Sequence, residues 1–298
     1  MEDNYTTGVS QPTITEAFRQ GIQYAFKYWR VSLIYWLATL GLSMIVALPF
    51  RSTLLAETGN SMILNNLIAG FNYTYLNDFL QNYGSALTPL LNQSIVALAV
   101  QVLLLVFFAG GLTKTIVVAP ERYDSRLFWG GSGYYFWRML RLTLLFAVFH
   151  VIILVLFGWL YLTVTKGMSP ANLDSEAIIT SCLRWLIPLY VLVASIPMLW
   201  QDYAKLYLVK SDKTWIWSSV RESGSFVRKN FLKVYGLYLL VLGVTLAMFG
   251  LNYLLQGALV VQSMGTIMLS FFLTQFLVII RFACKVLNLG SARSLSQV

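Results

Sequence analysis

The chain has 298 residues, of which 58% are hydrophobic, 15% aromatic and only 11% charged. A soluble domain carries roughly 25% charged residues, so an ordinary water-soluble domain is excluded and a membrane protein is described. The net charge of +9 does not signal nucleic acid, because the basic residues flank apolar runs and form no patch on a soluble fold.

In chain order, the first thirty residues are polar and amphipathic. No small-residue cleavage pattern follows the first apolar run, so no cleavable signal peptide is expected. Thr13 and Glu16 have capping-box spacing, and Ile14, Phe18, Ile22, Ala25 and Trp29 recur on one helical face. This predicts an interfacial helix leading into the chain's first span.

A bilayer core about 30 Å thick needs about 20 apolar residues in a helix. Six runs qualify: Val31–Phe50, Ile95–Leu112, Leu142–Thr165, Ile178–Trp200, Val234–Leu254 and Val260–Ile280. Between the first two lies a long outer loop, 51–92, where Leu64, Leu67, Ile68, Phe71, Tyr75 and Phe79 recur at helical spacing. It predicts a helix on the outer surface or capping the bundle. Pro188 and Pro197 fall inside the fourth span and predict a kink. The fifth and sixth runs are separated only by Leu255–Leu259, LQGAL, and predict a tight helical hairpin.

All 21 basic residues but Arg51, Lys166 and Arg184 fall on one side of this arrangement. The positive-inside rule then makes both termini cytoplasmic. Cys182 and Cys284 fall at opposite faces and cannot bridge within one chain. With His150 the single histidine, no thiolate or imidazole cluster for a metal or cofactor is expected.

The stretch GSGYYFWRMLRL, Gly131–Leu142, has counterparts elsewhere. A shift of 91 residues places Lys114 on Lys205, Ser132 on Ser223, Gly133 on Gly224 and Arg138 on Lys229. A shift of 111 places Tyr24 on Tyr135, Phe26 on Trp137, Lys27 on Arg138 and Arg30 on Arg141, and Lys285 follows Lys205 by 80. Each copy reads as an amphipathic helix feeding a span, with basic residues against anionic headgroups. The fold expected is all-α and integral to the membrane. Its six transmembrane helices form three helical-hairpin repeats in one domain, 1–298, each preceded by an interfacial amphipathic helix. The units are about 13–118, 125–212 and 214–289, and in the second copy the glycines allow a turn from interfacial helix to span and close packing.

The candidate lipid-interface residues are Arg138, Arg141, Arg228 and Lys229; the intramembrane polar candidates are His150, Arg184 and Asp202. A histidine in a span faces the bundle and finds a partner, which predicts an interhelical hydrogen bond for His150. Arg184 is expected to snorkel outward towards Asp174 or Glu176. Asp202 reads as the one acid adjoining a span on the basic side. Its default partner is Lys205, one turn on, with Lys114 or Arg281 as a bridge between units. Gly130–Gly133, GGSG, superficially resembles a nucleophile turn, but His150 lies about 27 Å along a helix from Ser132. No catalytic residue is assigned.

The segments Asp202–Leu240, DYAKLYLVKSDKTWIWSSVRESGSFVRKNFLKVYGLYLL, and Tyr135–Leu142, YFWRMLRL, resemble a broad group of uncharacterised bacterial six-span proteins. These are distantly similar to the membrane domain attached to some glycerophosphodiester phosphodiesterases. The resemblance covers the second and third units best and the outer loop least. It implies a bacterial inner membrane and carries over no catalytic residues; no phosphodiesterase domain is present. The expected function is that of a non-enzymatic inner-membrane scaffold or accessory subunit, in contact with anionic lipid and another membrane protein. The alternative is a small transporter or permease-like subunit with a polar cavity near His150. A membrane enzyme acting on lipid comes last, for want of an acid/base pair.

Overall fold

The computed structural model describes residues 12–58, 73–165, 176–212, 214–259 and 264–297. Among them the chain is all-helical, with α1 (Ile14–Lys27), α2 (Trp29–Thr58), α3 (Tyr73–Val118), α4 (Ser125–Val164), α5 (Glu176–Ser211), α6 (Ile216–Lys229), α7 (Phe231–Ala258) and α8 (Met264–Ser296). All but α1 and α6 are long and apolar enough to cross a membrane, giving six candidate spans. The long outer loop of the sequence reading is largely helix at its edges: α2 runs on to Thr58 and α3 begins at Tyr73. Leu64 to Phe71, the centre of its apolar pattern, lies outside the described residues.

The chain divides into two compact units, Leu33–Leu105 and Met1–Ser32 with Val106–Val298. In the smaller, α2 and α3 form an antiparallel pair. Gln93 Nε2 donates to the Ile45 carbonyl at 3.2 Å and Gln101 Nε2 to Thr39 Oγ1 at 2.9 Å. Amides in apolar surroundings find partners across the helix interface because lipid offers none.

In the larger unit, α1 begins at a complete capping box: the Thr13 hydroxyl accepts from Glu16 N–H, and the Glu16 carboxylate accepts from Thr13 N–H at 2.8 Å. The joints after α1 and α6 have one geometry, Tyr28 at φ −109°, ψ 30° and Asn230 at φ −115°, ψ 27°. The sequence offsets of 111 and 91 both bring these joints onto Met139, and there the structure departs from expectation. Residues 125–164 form one unbroken helix, with Met139 buried. The glycines of this stretch make no turn; Gly131 serves close packing, while a Cβ at Gly130 or Gly133 would meet nothing within 4 Å. A Cβ at Gly111 would lie 2.3 Å from the Phe128 carbonyl, and one at Gly131 2.8 Å from Lys114 Cβ.

Three corresponding contacts organise this unit. The start of α4 packs on the end of α3 through Gly111 and Ser132, and α6 packs on α5 through Gly224 and Trp200. The helix α1 packs on the last span, with Gly21 against Leu287 and Ser291, and Gly290 against Tyr24. The three helices ending at this face, α3, α5 and α8, are each followed by a non-glycine residue in the left-handed region: Ala119 at φ 50°, Asp212 at φ 47° and Gln297 at φ 51°. Such a residue closes a helix by turning its last carbonyls onto following amides.

The core lies towards this face. On α4, Tyr135, Met139, Leu142 and Phe146 recur every three or four residues, the spacing of one helix face. They pack with Val106 of α3, Ala204, Leu208 and Val209 of α5, and Val220 of α6. Farther along, α4 and α5 stay in register through a Phe157–Tyr190 edge-to-face contact at 5.4 Å. At the far end of α7, Gln256 Nε2 donates to the Ser270 carbonyl and to Thr274 Oγ1, both at 3.1 Å, closing the α7–α8 hairpin. Pro188 and Pro197 lie inside α5, which continues through both. Five residues before Pro197, the Leu192 carbonyl accepts from Tyr235 Oη at 3.1 Å and from Ser195 Oγ at 2.6 Å.

Candidate functional site: the basic face of the larger unit

Each left-handed residue, or its neighbour, receives a bond from another element. Tyr28 Oη donates to the Pro120 carbonyl at 2.9 Å, beside Ala119. Arg138 Nη1 donates to Asp212 Oδ1 at 2.7 Å. Lys210 Nζ donates to the Gln297 carbonyl at 3.5 Å. The carbonyl groups and the carboxylate left at helix ends attract cations and hydroxyl donors.

The second link is the most elaborate. Asp212 Oδ1 also accepts from Tyr135 Oη at 3.0 Å, and Oδ2 from Tyr134 Oη at 3.3 Å. The hydrogen bond from Arg138 holds the Asp212 carboxyl below its ordinary value, aided by both phenols and opposed by desolvation. Lys114 Nζ sits 5.7 Å from the Tyr135 ring centre, a cation–π distance. At the first link, burial pushes the Tyr28 phenol up to about 12, with Tyr24 adding to the shift and Arg293 opposing it. Tyr28 therefore stays a donor at neutral pH. Arg293 donates to Tyr24 Oη and stacks its guanidinium 5.6 Å from that ring.

A polar group also ties α5 to α8. Asp202 Oδ1 accepts from Lys205 Nζ at 2.8 Å and Oδ2 from Asn288 Nδ2 at 2.7 Å. The Lys205 pairing is the one expected. The bridge from α5 to α8 is made by Asn288, where Lys114 and Arg281 were the expected partners. Asn288 carries no formal charge, so charge counting passed over it.

The other sequence candidates are placed as follows. Arg138 is engaged with Asp212 and its side chain is 14% exposed. Arg141, Arg228 and Lys229 are exposed. Arg184 is exposed as well, while Asp174 and the Glu176 side chain lie outside what is described. His150 Nδ1 lies 2.8 Å from the Phe146 carbonyl of its own helix, so the expected interhelical bond is replaced by a local one. Bonding to a carbonyl requires Nδ1 to carry the proton. Its Nε2 is buried and has no partner among the described residues. Ser132 is fully buried, and the unbroken α4 keeps it about 27 Å from His150. No nucleophile–base contact is formed between them.

The sequence reading missed Asp212 because it ended the fourth span at Trp200, making Asp202 the only adjoining acid. The helix runs eleven residues further, to Ser211, and Asp212 adjoins it directly. The usable signal was the polar break Ser211–Asp212–Lys213, a helix stop followed by a residue type that tolerates positive φ.

The chain was compared with known protein families, curated proteins and solved structures, and none matches.

Proposed function

We propose that the chain is a non-enzymatic, multi-pass protein of a bacterial inner membrane, both termini cytoplasmic. It acts as a scaffold or accessory subunit through anionic headgroups and another membrane protein. One observation carries the reading. On the basic face, Trp129, Trp137, Trp215 and Trp217 stand 46% to 74% exposed, in segments that also carry exposed Arg141, Arg228 and Lys229. Indoles in that number are suited to the headgroup layer, where an apolar ring and a polar N–H are both accommodated. Cations near an anionic surface gain about 1 kcal/mol each.

The matching joints at Tyr28 and Asn230, the three left-handed helix ends and the three helix pairings support a threefold internal repeat whose last span closes on α1. In that reading α1 and α6 are interfacial helices and the start of α4 is their fused equivalent. The resemblance to bacterial six-span proteins fits the same placement.

Purification from native membranes in a mild detergent or polymer disc tests the proposal. A stoichiometric membrane-protein partner, with preferential retention on anionic vesicles, is expected. A solitary protein indifferent to anionic lipid would overturn it. The alternative, a small transporter working around His150, has one observation in its favour, the buried and unpartnered Nε2.

A further inference from the structure

A cleft of about 350 Å³ opens where the end of α3, the start of α4 and the end of α5 meet, with Lys114, Arg126, Gly130, Gly131, Tyr134 and Asp212 in its walls. We infer that this cleft binds a phosphate group, either that of an anionic lipid headgroup or that of a small soluble phosphate ester. The inference rests on the reading of the basic face as the headgroup-facing one, and it names a discrete site on that face.

The charge balance carries the argument. Asp212 is the cleft's one carboxylate, and its oxygens already accept from Arg138 and two tyrosines. Lys114 and Arg126 form no ion pair among the described residues. Two cations line one concave space whose single carboxylate is already engaged by Arg138 and two phenols, an arrangement that favours entry of an anion. An ammonium and a guanidinium together suit a phosphate, the first as a point charge and the second as a planar fork.

The shape agrees. A Cβ at Gly131 would lie 2.8 Å from Lys114 Cβ, so glycine there lets the lysine stem cross α4. At Gly130 a Cβ would meet nothing within 4 Å. That leaves the cleft wall bare beside the cations, and the volume accommodates a phosphate ester of headgroup size.

The test uses the full chain in detergent, with dioctanoyl phosphatidylglycerol, glycerol phosphate and inorganic phosphate as probes and dioctanoylglycerol as the phosphate-free comparator. Lys114→Gln combined with Arg126→Gln should weaken phosphatidylglycerol binding about tenfold or more, a tenfold change being about 1.4 kcal/mol. Arg51→Gln combined with Arg184→Gln, the same loss of charge on exposed residues of α2 and α5, should leave it unchanged. Should the double variant fail to fold, Gly130→Asp against Gly130→Asn decides. Both fit the open space, but only aspartate sets a negative charge in the cleft, so it should lose binding while asparagine keeps it. Competition by glycerol phosphate or inorganic phosphate assigns the site to soluble esters; binding of the lipid alone assigns it to headgroups. Wild-type binding by the double variant, equal behaviour of the Gly130 pair, or equal binding of dioctanoylglycerol overturns the inference. If those failures occur while the protein still prefers anionic vesicles, the cleft falls and the broader lipid reading stands.

Discussion

Arg138 Nη1 lies 2.7 Å from Asp212 Oδ1 and 3.3 Å from the Asp212 carbonyl oxygen, so one guanidinium closes both the side chain and the backbone of the residue that ends α5. The relationship joins the fourth turn of α4 to the exit of α5, and it makes Asp212 a residue with two duties. Its carboxylate collects three donors, and its backbone holds φ 47°, a region that aspartate and asparagine tolerate better than most.

Substitutions at this pair should separate the two duties. Asp212→Ala loses the acceptor and the tolerance of positive φ, and should cost about 1–2 kcal/mol in thermal or denaturant unfolding in micelles. Asp212→Asn keeps the backbone tolerance and should cost less. A double-mutant cycle with Arg138→Gln should return a coupling of about 0.5–1 kcal/mol, discounted because the Asp212 side chain is 53% exposed. The pH dependence follows from the depressed carboxyl. The contribution is fully present above the unfolded-chain value of about 3.9, and it is lost as pH falls through the lower folded value. Stability should therefore be insensitive to this pair between pH 5 and about 8. A pair contribution that vanished already at pH 6 would contradict the assignment.

The glycines give a second, contrasting prediction. Gly111→Ala would press a methyl within 2.3 Å of the Phe128 carbonyl, and Gly21→Ala within 2.7 Å of the Leu287 carbonyl. Backbone cannot step aside as a side chain can, so each should destabilise by about 1–3 kcal/mol. Gly158→Ala meets nothing within 4 Å and should be neutral or stabilise by up to about 1 kcal/mol through helix propensity. Parallel melting curves of the three variants check this, and equal effects would remove the close-approach account.

What the sequence made legible follows from what each signal measures. Apolar run length located all six candidate spans, because a continuous hydrophobic stretch of that size has few other uses. The capping box at Thr13 was readable because its two partners lie three residues apart. Near Gly131 a turn and close packing are both expected, because a glycine serves either use and composition does not separate them; the structure has the packing without the turn. Only the Cβ clash at Gly131 with Lys114 tells which applies. Asp212 escapes because the apolar run ends at Trp200 while the helix continues to Ser211, and Asn288 because it carries no formal charge. Their partners lie 74 and 86 residues away, and no local pattern encodes a contact at that separation.

The topology remains directly testable, and the structure changes the choice of probes. Ser132 is fully buried, so a cysteine placed there would be shielded whichever side it faced. Glu222, Ser225 and Gln297 are exposed and suit labelling on the basic side, with Asp174 and Asn77 as the opposite-side positions. In a background lacking Cys182 and Cys284, impermeant reagent added to intact cells should label Asp174→Cys and Asn77→Cys but not Glu222→Cys, Ser225→Cys or Gln297→Cys. Labelling of Asn77→Cys and Glu222→Cys from the same side would break the six-span arrangement.

His150 separates the two leading functions, and its geometry sharpens the expected outcome. In an α-helix the Phe146 carbonyl already accepts the backbone N–H of residue 150. The imidazole bond to the same oxygen, at 2.8 Å, is therefore supplementary, and removing it strands no carbonyl. Leucine at this position would also remove the buried, unpartnered Nε2, whose desolvation costs free energy in the native chain. An interhelical bond would have cost about 0.6–2 kcal/mol to lose. The local bond predicts a smaller change, within about 1 kcal/mol of zero in either direction. His150→Leu should therefore fold, insert and retain any partner complex. His150→Gln offers a control that can hydrogen-bond but cannot carry a proton at neutral pH. A leucine variant with native melting behaviour but no cellular activity, matched by an equally inactive glutamine variant, would show that the ring itself works. That result would promote the transporter reading over the scaffold.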